Sequence, residues 1–414
     1  MAYDETTYRR PDEADSDPSA YRNTYAAQDF RNRSGADPDG GLDPLRRYSP
    51  YDEDHRDRLG IHIGWEIVLL VAVAAIGFLL YRLEPDALRR PALDTLLIWG
   101  TAIGLLAIGA GLTLRAGVPN LALGPIAIAA GLHWAENGDK GLVSGAVPAL
   151  VIAAVGGLAV GLAVMGLHVP GWAATLAAAF GVVVYNQLRT GPVSVQGTLD
   201  PSDQAFFLFG GFALISVLGG ATGTVAPVRR FVGRMRPVTD PAHRRGAAVA
   251  LPVIGTLVVS SVFAVVAGIL LATVQPNLPV QPRPGFEWTG IAIGTAMLAG
   301  TSAFGRRGGI FGTLLAVAAL TLFLDYETRR DFDIALYAIA AGLVGVGLVV
   351  TRLIETYGRP QTLDPPGEDW QNAAASTGAT TTWSPEIPQT WSPSSVPAQN
   401  RTDRWDDGPW GGSR

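Results

Sequence analysis

The sequence has no cysteine and a single lysine, Lys140, and only 16% of its 414 residues are charged. Without cysteine, neither a disulfide nor a thiolate metal site can form. No Walker A sequence, G-x-S-x-G elbow, H-E-x-x-H motif or pair of carboxylates within an apolar run is present. We therefore expect no catalytic residues, no metal site and no cofactor bound by this chain.

The two ends of the chain differ in composition from its middle. Residues 1–59 are rich in Asp, Arg, Tyr and Pro, and residues 356–414 in Pro, Ser, Thr and Trp. Neither end has enough aliphatic surface to offset the entropy lost on ordering, so we expect two disordered tails. The first apolar run starts too late for a cleaved signal peptide, so it is expected to be an uncleaved span.

The middle, residues 60–355, is a series of apolar runs, and a membrane span needs about 20 such residues. The pattern predicts an all-α, polytopic transmembrane helix bundle of about ten spans. Glycines four residues apart, such as Gly157 and Gly161, predict close helix packing. The predicted spans are Ile61–Tyr81, Leu93–Leu114, Val118–Trp134, Leu142–Leu167, Trp172–Leu188, Ala205–Val225, Ala247–Val274, Trp288–Phe304, Gly309–Leu324 and Ile334–Leu353.

Arginine placement predicts the orientation of these spans. The segment Pro227 to Gly246 carries six arginines, which places it in the cytoplasm under the positive-inside rule. Counting spans outward then puts both termini, and the glycine-rich corner with Arg306 and Arg307, on the cytoplasmic side. We expect a multi-pass protein of the cytoplasmic membrane with both tails inside.

Few ionisable residues lie in or near the spans, and each is close to a predicted span end where we expect water to reach it. They are Glu66, Asp94, His133, His168 and Asp325. A proton- or sodium-coupled carrier keeps such residues deep in its bundle, so their scarcity argues against that class. Energy for transport would have to come from a partner protein.

The segment 116–125 combines Gly117, Pro119, Asn120, Gly124 and Pro125, which predicts a break in the helix. Broken backbone within a membrane is tolerated where it is buried in protein or lines a wet cavity. Asn120 could therefore satisfy the freed backbone groups or meet a polar solute.

Three passages resemble the permease subunits of ABC importers of the ribose and simple-sugar type. Residues 116–128 are similar to the family's G-x-x-D-L-S-x-G segment, with Asn120 at the acidic position. Residues 168–176 resemble its V-P-x-F-I-x-T-L entry to a span. Residues 300–314 resemble its G-G-T-S-x-x-G hairpin, which is the most specific of the three.

The resemblance implies that two permease subunits form a homo- or heterodimer and that two cytosolic ATPases, which bind ATP and magnesium, contact their inner loops. An extracytoplasmic binding protein would deliver a small polar solute, with a sugar as the first candidate. The substrate-pathway residues that it implies are Asn120, Gly124, Thr175, Asn186, Thr301 and Ser302. The implied ATPase-contact residues are Arg229, Arg230, Arg234, Arg236 and Arg244.

Other functions remain open at this point. Nucleoside and branched-chain amino acid permeases share the same framework. Residues 231–246 lack the family's G-x-N-x-x-A-A-x-x-x-G coupling pattern, and the arginines there could simply set the topology. A non-transporting membrane scaffold with partner-binding tails is therefore a further alternative.

Overall fold

The computed structural model describes residues 59–225, 228, 247–274, 277–303 and 308–358. Within these residues the chain is helical, apart from loops and one bridge between Val193 and Val280. The α-helices are α1 Leu59–Leu83, α2 Ala92–Arg115, α3 Leu123–Asn137, α4 Leu142–Gly166, α5 Gly171–Gln187, α6 Ala205–Thr224, α7 Ala247–Val274, α8 Phe286–Leu298, α9 Gly312–Arg329 and α10 Leu336–Gly358.

Six of these helices are long and apolar enough to cross a membrane, namely α1, α2, α4, α6, α7 and α10. They indicate a membrane protein. Each predicted span corresponds to one helix, but α3, α5, α8 and α9 do not meet the same measure of length and apolar composition. The predicted all-α bundle is confirmed, and the number of spans remains a prediction.

The core lies around α2 and α7, which are the most buried of the six long helices. Helix α2 packs against α6, α7, α8 and α9, and α7 also packs against α3 and α4. Gly157 and Gly161 of α4 face the backbone of α7 at Leu257 and Ile254. The absence of side chains there allows the two backbones to approach, as the glycine spacing predicts.

Two helix ends differ from the predicted bounds. The span expected from Val118 begins at Leu123, and the span expected to reach Phe304 stops at Leu298. The reason is the same in both places. A glycine with positive φ lies two residues after the last residue of α2 and of α8, namely Gly117 at 71° and Gly300 at 93°.

The two ends share one hydrogen-bonding pattern. The Val118 N–H donates to the Thr113 carbonyl at 2.9 Å, and the Thr301 N–H donates to the Ala296 carbonyl at 3.0 Å. Together with the bonds of the two glycine N–H groups, these form Schellman motifs, which stop a helix and turn the chain away. The predicted break is confirmed, and the glycine-rich corner carries a second one.

Two loops meet at one end of the bundle, and we call residues 188–204 and 277–285 the paired loops. Val193 and Val280 exchange backbone hydrogen bonds of 2.9 and 2.8 Å. The Gln196 N–H donates to the Ala135 carbonyl at 3.0 Å, which ties the first loop to the end of α3.

Several sequence-based predictions lie outside the described residues. They concern most of the two tails, the arginines of 229–244, and Arg306 with Arg307. Helix α10 runs to Gly358, past the tail boundary expected at residue 356.

Candidate functional site

Two short helices, α3 and α8, begin side by side within the bundle. The Gly124 N–H donates to the Thr289 hydroxyl at 2.9 Å, and that hydroxyl donates to the Leu121 carbonyl at 3.2 Å. A Cβ at Gly124 would overlap the carbonyl oxygen of Gly285. We call residues 119–125 and 283–289 the helix junction.

Asn120 lies in the junction and is 3% exposed. Its Oδ1 accepts from the Ala122 N–H at 3.1 Å, and its Nδ2 donates to the Ser260 Oγ of α7 at 2.8 Å. Its own N–H donates to the Thr113 hydroxyl at 3.3 Å. Asn120 therefore satisfies backbone groups freed by the break and links the break to α7.

Helix α5 contributes two more of the predicted pathway residues. The Thr175 hydroxyl donates to the Pro119 carbonyl at 2.8 Å. The fully buried Asn186 side chain donates from Nδ2 to the carbonyls of Pro125 at 3.2 Å and Arg283 at 3.4 Å. The structure thus brings Asn120, Gly124, Thr175 and Asn186 to one junction.

An ion pair lies at the start of α8. The Nε atom of Arg283 is 3.2 Å from Oε1 of Glu287, and the Glu287 side chain is 2% exposed. A carboxylate in the first turn also interacts favourably with the helix dipole. The pair brings a buried negative charge to the junction and neutralises it locally.

Helix α3 separates two cavities. The first, of about 430 Å³, lies among α3, α4, α5 and α7, and we call it the aliphatic cavity. Most of its lining is Ala, Gly, Val, Ile and Leu, and its polar side chains are Asn120, His133, Tyr185 and Ser261. The exposed Ile152 of α4 lies on its wall.

The second cavity, of about 310 Å³, lies on the other side of α3, and we call it the tryptophan cavity. Trp99 of α2 and Trp288 of α8 line it, together with Gln281 and Arg283 of a paired loop. Its floor consists of small and aliphatic residues of α3 and α7.

A bidentate ion pair joins the C-terminal end of α3 to the first of the paired loops. Arg189 donates from Nε to Oε1 of Glu136 at 2.5 Å and from Nη2 to Oε2 at 2.8 Å. The guanidinium also covers the Tyr185 ring at 4.6 Å. The hydrogen bonds between the two side chains raise the pKa of Arg189, with a further contribution from Tyr185, and lower the pKa of Glu136, which favours the ionised pair.

The other two predicted pathway residues, Thr301 and Ser302, belong to the glycine-rich corner and not to the junction. Both are buried, and the Ser302 hydroxyl donates to the Glu355 carboxylate of α10. The junction and the corner are therefore separate groups of the residues that the sequence indicated.

Helix α1 caps both helix ends at the corner. The Trp65 indole N–H donates to the Leu298 carbonyl, the last of α8, at 2.7 Å. The Glu66 Oε1 accepts from the N–H groups of Phe311 at 2.6 Å and Gly312 at 3.2 Å, where α9 begins.

The expectation that water reaches Glu66 and Asp94 was wrong, because they are 9% and 5% exposed.

Several site residues were not found by reading the sequence. Thr289, Trp65 and Glu66 act only through contacts with distant helices, which no local pattern reveals. A signal did exist for Ser260 and Ser261, since they are adjacent hydroxyls within a long apolar helix. Within the described ranges, no group of three or more His, Asp and Glu side chains converges as metal ligands would.

Fold and site together define an all-helical membrane protein with a buried junction of two short helices between two cavities. No protein-family model matches the chain, and neither the curated proteins nor the solved structures contain a match.

Proposed function

We propose that this chain is the membrane-spanning permease subunit of an ATP-driven importer, which moves a small polar solute across the cytoplasmic membrane. A sugar is the first candidate for the solute. In this proposal the bundle has ten spans, with both termini in the cytoplasm. ATP and magnesium are bound by the partner ATPase and not by this chain.

The observation that carries the proposal is the helix junction at residues 119–125 and 283–289. Transporters place their solute sites where helices are discontinuous and pack against one another. Here two helices begin beside each other, with Gly124 and Thr289 in their first turns, and a cavity lies on each side of α3. A scaffold has no need of such an arrangement.

The proposed partners follow from the same assignment. A second permease subunit, identical or different, completes the solute pathway, and an extracytoplasmic binding protein delivers the solute. Two ATPase subunits contact the cytoplasmic segment that contains Arg229, Arg230, Arg234, Arg236 and Arg244. In this proposal the energy for import comes from the ATPases and not from an ion gradient, because α4, α5, α6 and α7 contain no Asp, Glu, His, Lys or Arg that could carry a coupling ion through the bundle.

The lining of the aliphatic cavity favours a second candidate solute. Only four of its side chains are polar, Asn120, His133, Tyr185 and Ser261. A sugar presents hydroxyls on most of its surface, and burial without partners would be costly for them. A nucleoside or a branched-chain amino acid, each with a larger apolar part, fits this lining better.

Co-purification from the native cells tests the proposal. We expect a nucleotide-binding subunit to purify with the tagged chain, and its ATPase activity to follow the complex. The double variant Arg234→Ala, Arg236→Ala should lose the ATPase, whereas Arg352→Ala, exposed at the end of α10, should keep it.

Uptake by a deletion strain completes the test. We expect the strain to lose uptake of at least one of ribose, glucose, uridine and leucine. If no ATPase purifies with the chain and all four solutes enter normally, the importer assignment fails and the scaffold takes its place.

A further inference from the structure

Two indole rings form one side of the tryptophan cavity. The ring centroids of Trp99 and Trp288 are 6.0 Å apart, with the planes tilted by 42°. The cavity, of about 310 Å³, has the size of a small-molecule site. Aromatic faces of this kind can pack against the C–H groups of a small ring.

The Trp288 side chain carries a polar group without a partner. Trp288 is 3% exposed, and its Nε1–H has no acceptor among the described residues. A buried donor left unpaired costs about 1–3 kcal/mol, so native structures rarely keep one without a reason. An oxygen of a bound solute in the cavity would supply the missing acceptor.

The polar groups at the cavity mouth indicate a solute without net charge. Gln281 and Arg283 are exposed in the paired loop that covers the cavity. The charge of Arg283 is balanced by Glu287 at 3.2 Å, so the site has no net charge of its own. Indole, amide and guanidinium groups together offer more donors than acceptors.

We propose that the tryptophan cavity is a binding site for a small neutral ring with oxygen acceptors at its edge, of which a sugar ring is the simplest example. The ring stacks on Trp99 and Trp288, accepts a hydrogen bond from the Trp288 indole, and is held at the mouth by Gln281. The physiological role of the site, as the place where the solute first binds to the permease, rests on the proposed importer function.

Two other occupants fit less well. A zwitterionic amino acid would compete with the Arg283–Glu287 pair, and leaving the buried Glu287 carboxylate without its partner is costly. An acyl chain would fill the aliphatic floor but would leave the Trp288 N–H unpaired. The described contacts therefore favour a neutral ring over both.

Binding can be measured on the full-length protein in lipid nanodiscs, with radiolabelled ribose, glucose and uridine and with leucine as the zwitterionic comparison. We expect at least one of the three neutral solutes to bind and leucine to bind more weakly. Trp288→Phe keeps a smaller aromatic ring and removes the N–H, so the affinity should fall about tenfold. Gln281→Leu should also weaken binding, and Trp172→Phe, on the exposed face of α5, should not.

The proposal is overturned if none of the three neutral solutes binds at millimolar concentration, or if Trp288→Phe and Gln281→Leu both bind as the wild type does. Gln281 is exposed, so its variant remains informative even if Trp288→Phe folds poorly. An ATPase that purifies with a chain unable to bind these solutes removes the site and leaves the importer. If the chain binds one of these solutes but no ATPase purifies with it, the site remains and the importer assignment fails.

Discussion

At the scale of single residues, the buried polar side chains of this protein act mainly on backbone groups. Asn120, Thr175 and Thr289 each bond to a carbonyl or an N–H that the break in the chain has freed. Without such partners, each of these groups would be exposed to an apolar surrounding and would cost several kcal/mol. The break is therefore stable because Asn120 within it supplies an amide group, and Thr175 of α5 and Thr289 of α8 supply hydroxyl groups.

Two buried threonines of α8 allow the contribution of these hydrogen bonds to stability to be measured. Thr289→Val keeps the shape of the side chain but removes the bonds to Gly124 and Leu121, so the free energy of unfolding should fall by about 1–2 kcal/mol. Thr295 is equally buried, and its hydroxyl has no partner among the described residues. Thr295→Val should therefore leave the stability unchanged or raise it slightly, as measured by thermal unfolding in detergent. Equal losses for both variants would contradict the role of Thr289.

At the scale of elements, α1 serves as a brace across the glycine-rich corner. Its neighbouring residues Trp65 and Glu66 cap the end of α8 and the start of α9, respectively. A carboxylate at a helix start is favoured both by the free N–H groups and by the helix dipole. The corner is thus held by a helix distant from it in sequence.

Removing the brace should loosen the corner. Glu66→Ala leaves the N–H groups of Phe311 and Gly312 without their acceptor, so residues near them should open more often. Since the chain has no cysteine, a single Ala299→Cys substitution at a buried position beside the corner reports on this opening through its rate of reaction with a maleimide. We expect the rate to rise several-fold with Glu66→Ala and to stay constant with Leu70→Ala, which is exposed on α1. An unchanged rate in the Glu66 variant would exclude the brace.

The contact of α3 with α8 depends on a glycine. At Gly124 a methyl group would overlap the Gly285 carbonyl, so Gly124→Ala should separate the two helices and lower the thermal midpoint by several degrees. Gly255 of α7 has open space around its Cα, and Gly255→Ala should be neutral or stabilising because alanine favours a helix. A neutral Gly124→Ala would mean that the junction is looser than described. Thermal unfolding of both variants side by side decides this.

At the scale of the whole molecule, composition was enough to predict an all-α bundle, because apolar runs of span length have few other structures available. The break at 116–125 was also predictable, since Pro119 and Gly117 act locally on their own backbone. The junction was not, because Thr289 reaches Gly124 across a separation of 165 residues. Likewise Glu66 looked like a residue at a wet helix end, and only the fold shows that it caps α9.

The orientation of the bundle gives a test of the complete arrangement. If the paired loops face outward, Thr198→Cys and Gln281→Cys should react with a membrane-impermeant maleimide in intact cells. Ala303→Cys, at the opposite corner of the proposed topology, should react only after the membrane is opened. The cysteine-free parent chain supplies a background without signal. If Ala303→Cys is labelled in intact cells and Thr198→Cys and Gln281→Cys are not, the bundle has the opposite orientation to the one proposed. Because a permease of this type meets its ATPase on the cytoplasmic side, that result would also remove the arginines of 229–244 from any ATPase contact.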